Sequence, residues 1–279
     1  MKIALIPNID KDKDFLITKK VIGELKALGI EIYSNIEFIS EDIKYIDNDT
    51  DIFKICDLII TIGGDGTILH VSKQASIFSK PILGINMGNV GYLADIEVNE
   101  INLLGNLKEG NYKCEERMMI FSRVIRNKQE IFNSTSLNDI VISKGTISRM
   151  IEFDVRSDNN FIHKYKADGI VFSTPTGSTA YSLSAGGPVV EPALNCILAT
   201  PVCVHSIQAA RSIVFNDNSK IEVKIISSDY SPAFITSDGV ENFSLEKNDI
   251  IIITKSIHIS KLIRIKERSF YSILSRKLK

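Results

Sequence analysis

The sequence carries almost no net charge: 33 lysines and arginines stand against 34 aspartates and glutamates, a formal charge of −1 over 279 residues. A chain that coats nucleic acid or an anionic membrane needs a basic excess, so the balance argues against both, while leaving specific phosphate binding open. No apolar run approaches the roughly 20 residues of a membrane span. The first apolar run, residues 1–6, is broken at once by Pro7 and by Lys11-Asp12-Lys13-Asp14, so no signal peptide is evident and a cytoplasmic location is expected. The four cysteines, Cys56, Cys114, Cys196 and Cys203, are scattered without metal-type pairing, which speaks against zinc and fits reduced thiols. The four histidines, His70, His163, His205 and His258, are equally dispersed and suggest neither a triad nor a metal cluster. Two familiar nucleotide loops are also missing: no Gly-Lys-Ser/Thr follows a glycine turn, and no glycine spacing matches the dinucleotide fingerprint.

What the chain does have is Gly63-Gly64-Asp65-Gly66-Thr67. An apolar run, residues 57–62, enters it, and a helical pattern from Ile68 leaves it, so the glycines sit on a strand-to-helix turn, where open α/β sheets place ligands. The glycines let the backbone approach a ligand, and the helix N-terminus offers free N–H groups to phosphate. The carboxylate of Asp65 would repel phosphate unless a metal ion or a hydroxyl donor stood between them. Asp65 therefore reads as a base or metal ligand beside phosphate, or else as a cap for the helix that follows.

Around this turn, residues 2–8, 30–33 and 81–85 read as short buried strands, and Ile17, Val21, Leu25 and Leu28 mark one face of a helix stopped by Gly29. Residues 35–54 hold many acids and few periodic apolar positions, the pattern of a variable connection. Alternating strands and helices predict a mostly parallel sheet covered on both faces, a Rossmann-like α/β domain over residues 1–99. A second glycine loop, residues 86–93, follows a strand on the same side and reads equally as a connecting turn. From about residue 100 the texture changes to strand-like alternation, with Asp158-Asn159-Asn160 as a hairpin turn. This predicts a β-rich, sandwich-like second domain over residues 100–261. The tail, residues 262–279, carries Phe270, Ile273, Leu274 and Leu278 at helical spacing and is expected to pack on the first domain.

A second dense stretch runs over residues 168–182, from Asp168-Gly169 through Ser173-Thr174-Pro175-Thr176-Gly177-Ser178-Thr179-Ala180-Tyr181-Ser182. Its hydroxyls and turn N–H groups are neutral donors for phosphate or ribose oxygens, and Tyr181 offers a face for a purine. Asn138-Asp139 pairs an amide with a carboxylate, a combination suited to an adenine edge and a ribose diol, and equally to a β-turn. Ser237-Asp238-Gly239 reads as a turn.

With these three stretches in order the chain resembles the NAD kinases over nearly its whole length. The glycine turn alone is shared with lipid kinases of the diacylglycerol type; residues 168–182 are the specific part. The resemblance implies transfer of the terminal phosphoryl group of ATP to the 2′-hydroxyl of the adenosine ribose of NAD, with Mg²⁺ and no protein ligand set assigned to it. It implies that Asp65 is the catalytic base, that Gly63, Gly64, Gly66 and Thr67 form the phosphate loop, and that NAD is contacted by Asp65, Gly66, His70, Tyr92, Asn138, Asp139, Arg149, Lys166, Asp168, Thr179, Ala180, Tyr181, Ser182, Leu183 and Ser184. A homo-oligomer, dimer or tetramer, is implied as well, with no nucleic-acid or membrane partner. Asp139 stands where the family more usually has Glu, His70 where it often has Arg, and Val240 where Gln is common.

Overall fold

A computed structural model describes residues 1–37, 40–88, 91–145, 149–205, 211–227, 232–267 and 269–277. The chain divides into two units, Met1–Glu116 with His258–Lys279, and Arg117–Ile257.

The first unit is built on a parallel sheet. Its strands are β1 (Lys2–Pro7), β2 (Glu31–Ser34), β3 (Ile43–Tyr45), β4 (Leu58–Gly63) and β5 (Ile82–Asn86), in the spatial order β3-β2-β1-β4-β5. Short β6 (Ile96–Glu97) also pairs with β5, and Leu262 lies in parallel register with Ile82. Every residue of β4 is buried, which is why its sequence is a continuous apolar run rather than an alternating one. Helix α1 (Leu16–Ala27) buries Val21, Ile22 and Leu25, and Gly29 beyond its end takes a positive φ of 71°. Helix α3 (Asp65–Ile77) follows β4 directly.

Residues 40–55 are more ordered than their acidity suggested. They contain β3 and a short helix, α2 (Asp49–Ile55), whose Asn48 cap accepts from the Asp51 N–H at 2.9 Å. Asp49 and Asp51 sit in the first turn, where negative charge favours a helix, and Ile52 and Phe53 are fully buried. The acids mark a helix start, not a solvated linker; Phe38 and Ile39 lie outside the described residues. Residues 98–109 are helical too, a 3₁₀ turn (Val98–Leu104) followed by α4 (Gly105–Glu109), and they add Ile101, Leu104 and Leu107 to the core of the first unit.

The second unit is an antiparallel sandwich. One sheet has the order β14 (Ile213–Asn216), β13 (Cys196–Val202), β12 (Gly169–Ser173), β9 (Asp139–Lys144), β16 (Ala233–Ser237), β17 (Glu241–Leu245). The opposing layer pairs β11 (Asn160–Ala167), β10 (Ile151–Ser157), β15 (Ile221–Ser227) and the start of β18 (Ile250–Arg264), with β7 (Lys113–Arg126) and β8 (Gln129–Ser136) as a further hairpin. Alternate residues of both layers, among them Phe153, Val155, Ile142, Phe172 and Ile235, meet in one core. The hairpin expected at residues 158–160 forms, with Asp158 and Asn159 both at positive φ as a tight primed turn requires. The tail helix α6 (Phe270–Lys277) buries Ile273; Leu278 lies outside the described residues.

Candidate active site

In the first unit β1 lies between β2 and β4, so the chain leaves the sheet in opposite directions on either side of it. The crevice outside such a reversal is where open α/β sheets bind ligands, and the glycine turn closes β4 there. The residue after β1 is tied to it: the Asn8 N–H donates to the Ile62 carbonyl at 2.8 Å. The Thr67 hydroxyl folds back on the Gly64 N–H at 3.4 Å and takes the place of a cap at the start of α3. Gly63 and Thr67 are buried, Gly64 and Asp65 half-buried, and Gly66 exposed.

Asp65 does not cap its own helix. Its carboxylate turns to the loop after β5, where Oδ2 accepts from the Tyr92 N–H at 2.7 Å and Oδ1 from Leu93 and Ala94 at 3.1 and 3.2 Å. An ionised carboxylate offers about four lone-pair sites, so this grip fixes the orientation of the group and leaves an acceptor site on Oδ2. The fit is close: a Cβ on Gly91 would stand 2.0 Å from Asp65 Oδ1. Tyr92 lies beside this group, and burial first, then the charge of Asp65, raise its phenol above the usual range. Its ring is 6.0 Å from that of Phe270 and 5.0 Å from Lys277 Nζ, so α6 closes over this loop. Asn89 and Val90, in the same glycine loop, lie outside the described residues. His70, one turn into α3, is exposed.

In the second unit a second carboxylate does the same work. Asp238, at positive φ in the turn between β16 and β17, accepts from three consecutive N–H groups: Leu137 at 2.8 Å, Asn138 at 2.8 Å and Asp139 at 3.1 Å. From the other side Thr174 N donates to the Asn138 carbonyl at 2.9 Å and its hydroxyl to the Leu137 carbonyl at 2.6 Å. A Cβ on Gly177 would lie 2.2 Å from that same Asn138 oxygen. The backbone of Asn138 is thus clamped, and its side chain is half-buried. Asp139 is 6% exposed next to Asp238. Burial, then the Asp238 charge, push its carboxyl up to about 7. Asp238 is likewise raised, to about 6, by burial against the pull of its three N–H donors.

The hydroxyl-rich stretch uses most of its hydroxyls on itself. Ser173, Thr174, Thr176 and Ser178 are buried; Ser178 Oγ donates to the Pro175 carbonyl at 2.7 Å, and Arg117, itself 4% exposed, donates to Thr176 Oγ1 at 3.2 Å. They shape a 3₁₀ turn (Thr176–Thr179) and the short helix α5 (Tyr181–Ser184). Ser182 is fully buried and bonded to Thr200, whereas Thr179, Ala180 and Leu183 are partly open and Tyr181 and Ser184 exposed. Asp168 stands at the other end of β12 from this loop and pairs with Lys144 at 2.8 Å, Lys166 lies 3.7 Å from Glu152 and is exposed, and Arg149 is exposed. Sequence reasoning took Asp238 and Gly91 as turn residues and Thr174 as a donor for a ligand, because what each grips is far away in the chain.

Two family models match the chain, the ATP-NAD kinase N-terminal domain over residues 5–110 and the ATP-NAD kinase C-terminal domain over residues 137–265. An NAD kinase of Thermoanaerobacter sp. (strain X514) is 41% identical over 281 aligned positions, 99% of this chain and 98% of that one. One of Acetivibrio thermocellus is 35% identical, covering 100% and 97%. The crystal structure of an NAD kinase from Archaeoglobus fulgidus in complex with ATP superposes with a TM-score of 0.77 at 25% identity over 100% of this chain and 98% of that one. Yeast NADH kinase complexed with NADH shares the fold, with a TM-score of 0.89 at 24% identity over 100% and 87%. An aspartate gripped at the glycine turn and a shaped Ser/Thr loop thus sit in a chain that its relatives match from end to end, and the chain belongs to the NAD kinase family.

Proposed function

We propose that the protein transfers the terminal phosphoryl group of ATP to the 2′-hydroxyl of the adenosine ribose of NAD, giving NADP. The observation that carries this reading is the Asp65 carboxylate, held by three backbone N–H groups beside a glycine turn, in a chain of this family. Asp65 takes the proton of the 2′-hydroxyl as the phosphoryl group arrives, and the Gly63, Gly64, Gly66 and Thr67 turn with the N-terminus of α3 receives phosphate oxygens. The transition state of phosphoryl transfer is loose in most analyses, so positioning and charge neutralisation do most of the work. Tyr181 stacks on the adenine, with Thr179, Ala180, Leu183 and Ser184 around it, whereas Ser182, fully buried against Thr200, supports the loop from within and does not reach the ligand; Asn138 and Asp139 hold the adenosine edge and ribose; Tyr92 faces the nicotinamide side; His70, Arg149, Lys166 and Asp168 line the rest.

Among the described residues no three His, Cys, Asp or Glu side chains converge as a metal cage. The donor set therefore fits a Mg²⁺ ion carried in on the triphosphate, since that ion keeps several waters and takes few carboxylates. When bound, it would neutralise charge on the phosphate oxygens. No described helix is long and apolar enough to cross a membrane, and we place the protein in the cytoplasm as a homo-oligomer, dimer or tetramer, a point that light scattering decides. Purified protein incubated with NAD, ATP and Mg²⁺ should form NADP, read with an NADP-specific dehydrogenase. Absence of NADP with both ATP and polyphosphate would overturn the assignment.

A further inference from the structure

Two of the three N–H groups that hold Asp65, those of Leu93 and Ala94, belong to peptide units whose carbonyls, on Tyr92 and Leu93, are held by one side chain. Arg264, the last residue of β18, donates from Nη1 to the Leu93 carbonyl at 2.7 Å and from Nη2 to the Tyr92 carbonyl at 3.4 Å. Its Nε donates to Glu115 Oε2 at 2.8 Å, and Nη1 lies 3.8 Å from Asp95 Oδ1. Asp95 is 1% exposed; its Oδ2 accepts from the Ile265 and Lys266 N–H groups at 2.8 and 3.1 Å, while its Oδ1 has no hydrogen-bond donor among the described residues. Asp95 therefore locks the end of β18 to the loop on one side, and Arg264 reaches back across that loop on the other. Arg264 also lines a cleft of about 870 Å³ together with residues 110–115, 265–267 and Ser269. A trans peptide points its C=O and N–H to opposite sides, so Arg264 on the carbonyls stands across the loop from the Asp65 carboxylate on the N–H groups.

We propose that Arg264 is a positioning residue for Asp65: it fixes the Tyr92 and Leu93 carbonyls, and through those peptides the N–H groups that aim the carboxylate. The proposal rests on the reading of Asp65 as base. A planar fork suits this task because it can hold two carbonyls and a carboxylate at once, which a lysine ammonium does with one point charge. Arg264→Lys keeps a cation beside buried Asp95 and loses the fork.

The test compares Arg264→Lys with Arg126→Lys, a matched change in the other unit, where Arg126 grips Asp249 from Nε and Nη2 at 2.9 and 2.8 Å. Arg264→Lys should lower kcat for NADP formation about tenfold or more, as expected for loss of hydrogen bonds to a charged donor, with the KM values for NAD and ATP little changed. Arg126→Lys should lower Tm to a similar degree and leave kcat alone. In an Asp65→Asn background Arg264→Lys should cause no further loss, since both act through one group. Independently of turnover, the Leu93 and Ala94 amide protons should exchange faster in Arg264→Lys than in the wild type, while those of Leu137 and Asn138 do not. Unchanged exchange at 93 and 94, equal kcat losses in the two lysine variants, or losses that multiply in the double variant would each overturn the proposal. Failure of the wild-type protein to make NADP would instead remove the kinase reading and leave the exchange result to decide the role of Arg264.

Discussion

The backbone nitrogen of Asn138 lies 2.8 Å from Oδ1 of Asp238, a residue 100 positions later in the chain. The same carboxylate takes the N–H groups on either side, and Thr174 holds the Asn138 carbonyl. The Asn138 backbone is thus held from both sides.

Removing that clamp should be felt by one substrate. Asp238→Ala leaves three N–H groups without their acceptor, and hydrogen bonds to charged groups are worth about 1.5–3 kcal/mol each. We expect Tm to fall and the KM for NAD to rise about tenfold or more, with the KM for ATP changing much less. Steady-state kinetics with each substrate varied in turn checks this.

The Asp139 carboxyl gives stability a pH dependence of definite sign. Its value is raised from 3.8 to about 7, so in that window the folded chain holds a proton that the unfolded chain has released. Stability then falls as pH rises from about 4 to 7 and is flat above. Asp238, raised to about 6, acts in the same direction. Asp139→Asn removes one ionisation and should flatten the curve, melting several degrees above wild type at pH 8 and close to it near pH 4. Calorimetry across that range reads both slopes.

Gly91→Ala should cost activity more than stability. The added methyl would enter the space of the Asp65 carboxylate at 2.0 Å and must turn it from its three donors. We expect kcat to fall at least about tenfold, from lost orientation alone. Gly66→Ala is the control for crowding within the chain, because its Cβ would meet nothing within 4 Å. Any kinetic loss there reports on a ligand approaching the turn.

Tyr181 is 45% exposed and free to take a base. Stacking of a base on an aromatic side chain is worth about 1–3 kcal/mol, so Tyr181→Ala should raise the KM for NAD more than that for ATP. Equal effects on both would argue against this placement.

Much of the fold was legible because its signals are local. Continuous apolar runs announced the buried parallel strands, and alternation announced the sandwich. The acidic stretch before β4 misled because charge alone was read as solvation, while Asn48, Ile52 and Phe53 were enough to specify a capped helix. The site was legible as residue types and not as contacts. Asp65 stood out as a carboxylate in a phosphate turn, but its partners at 92–94 come from another loop, and nothing in a local pattern links Asp238 to Asn138 or Arg264 to Leu93. The serines and threonines of residues 173–178 were read as donors for a ligand. Buried hydroxyls must find partners, and most of these found the backbone of their own loop.

Asp65→Asn tests the central claim most directly. The amide keeps one oxygen for the Leu93 and Ala94 N–H groups and turns an N–H toward that of Tyr92, so a modest fall in Tm is expected with the fold intact. Loss of the base should lower kcat for NADP formation by about 10² to 10⁴, measured with saturating NAD, ATP and Mg²⁺ on protein shown to be folded at the assay temperature. A folded Asp65→Asn protein that makes NADP at nearly the wild-type rate would contradict the account.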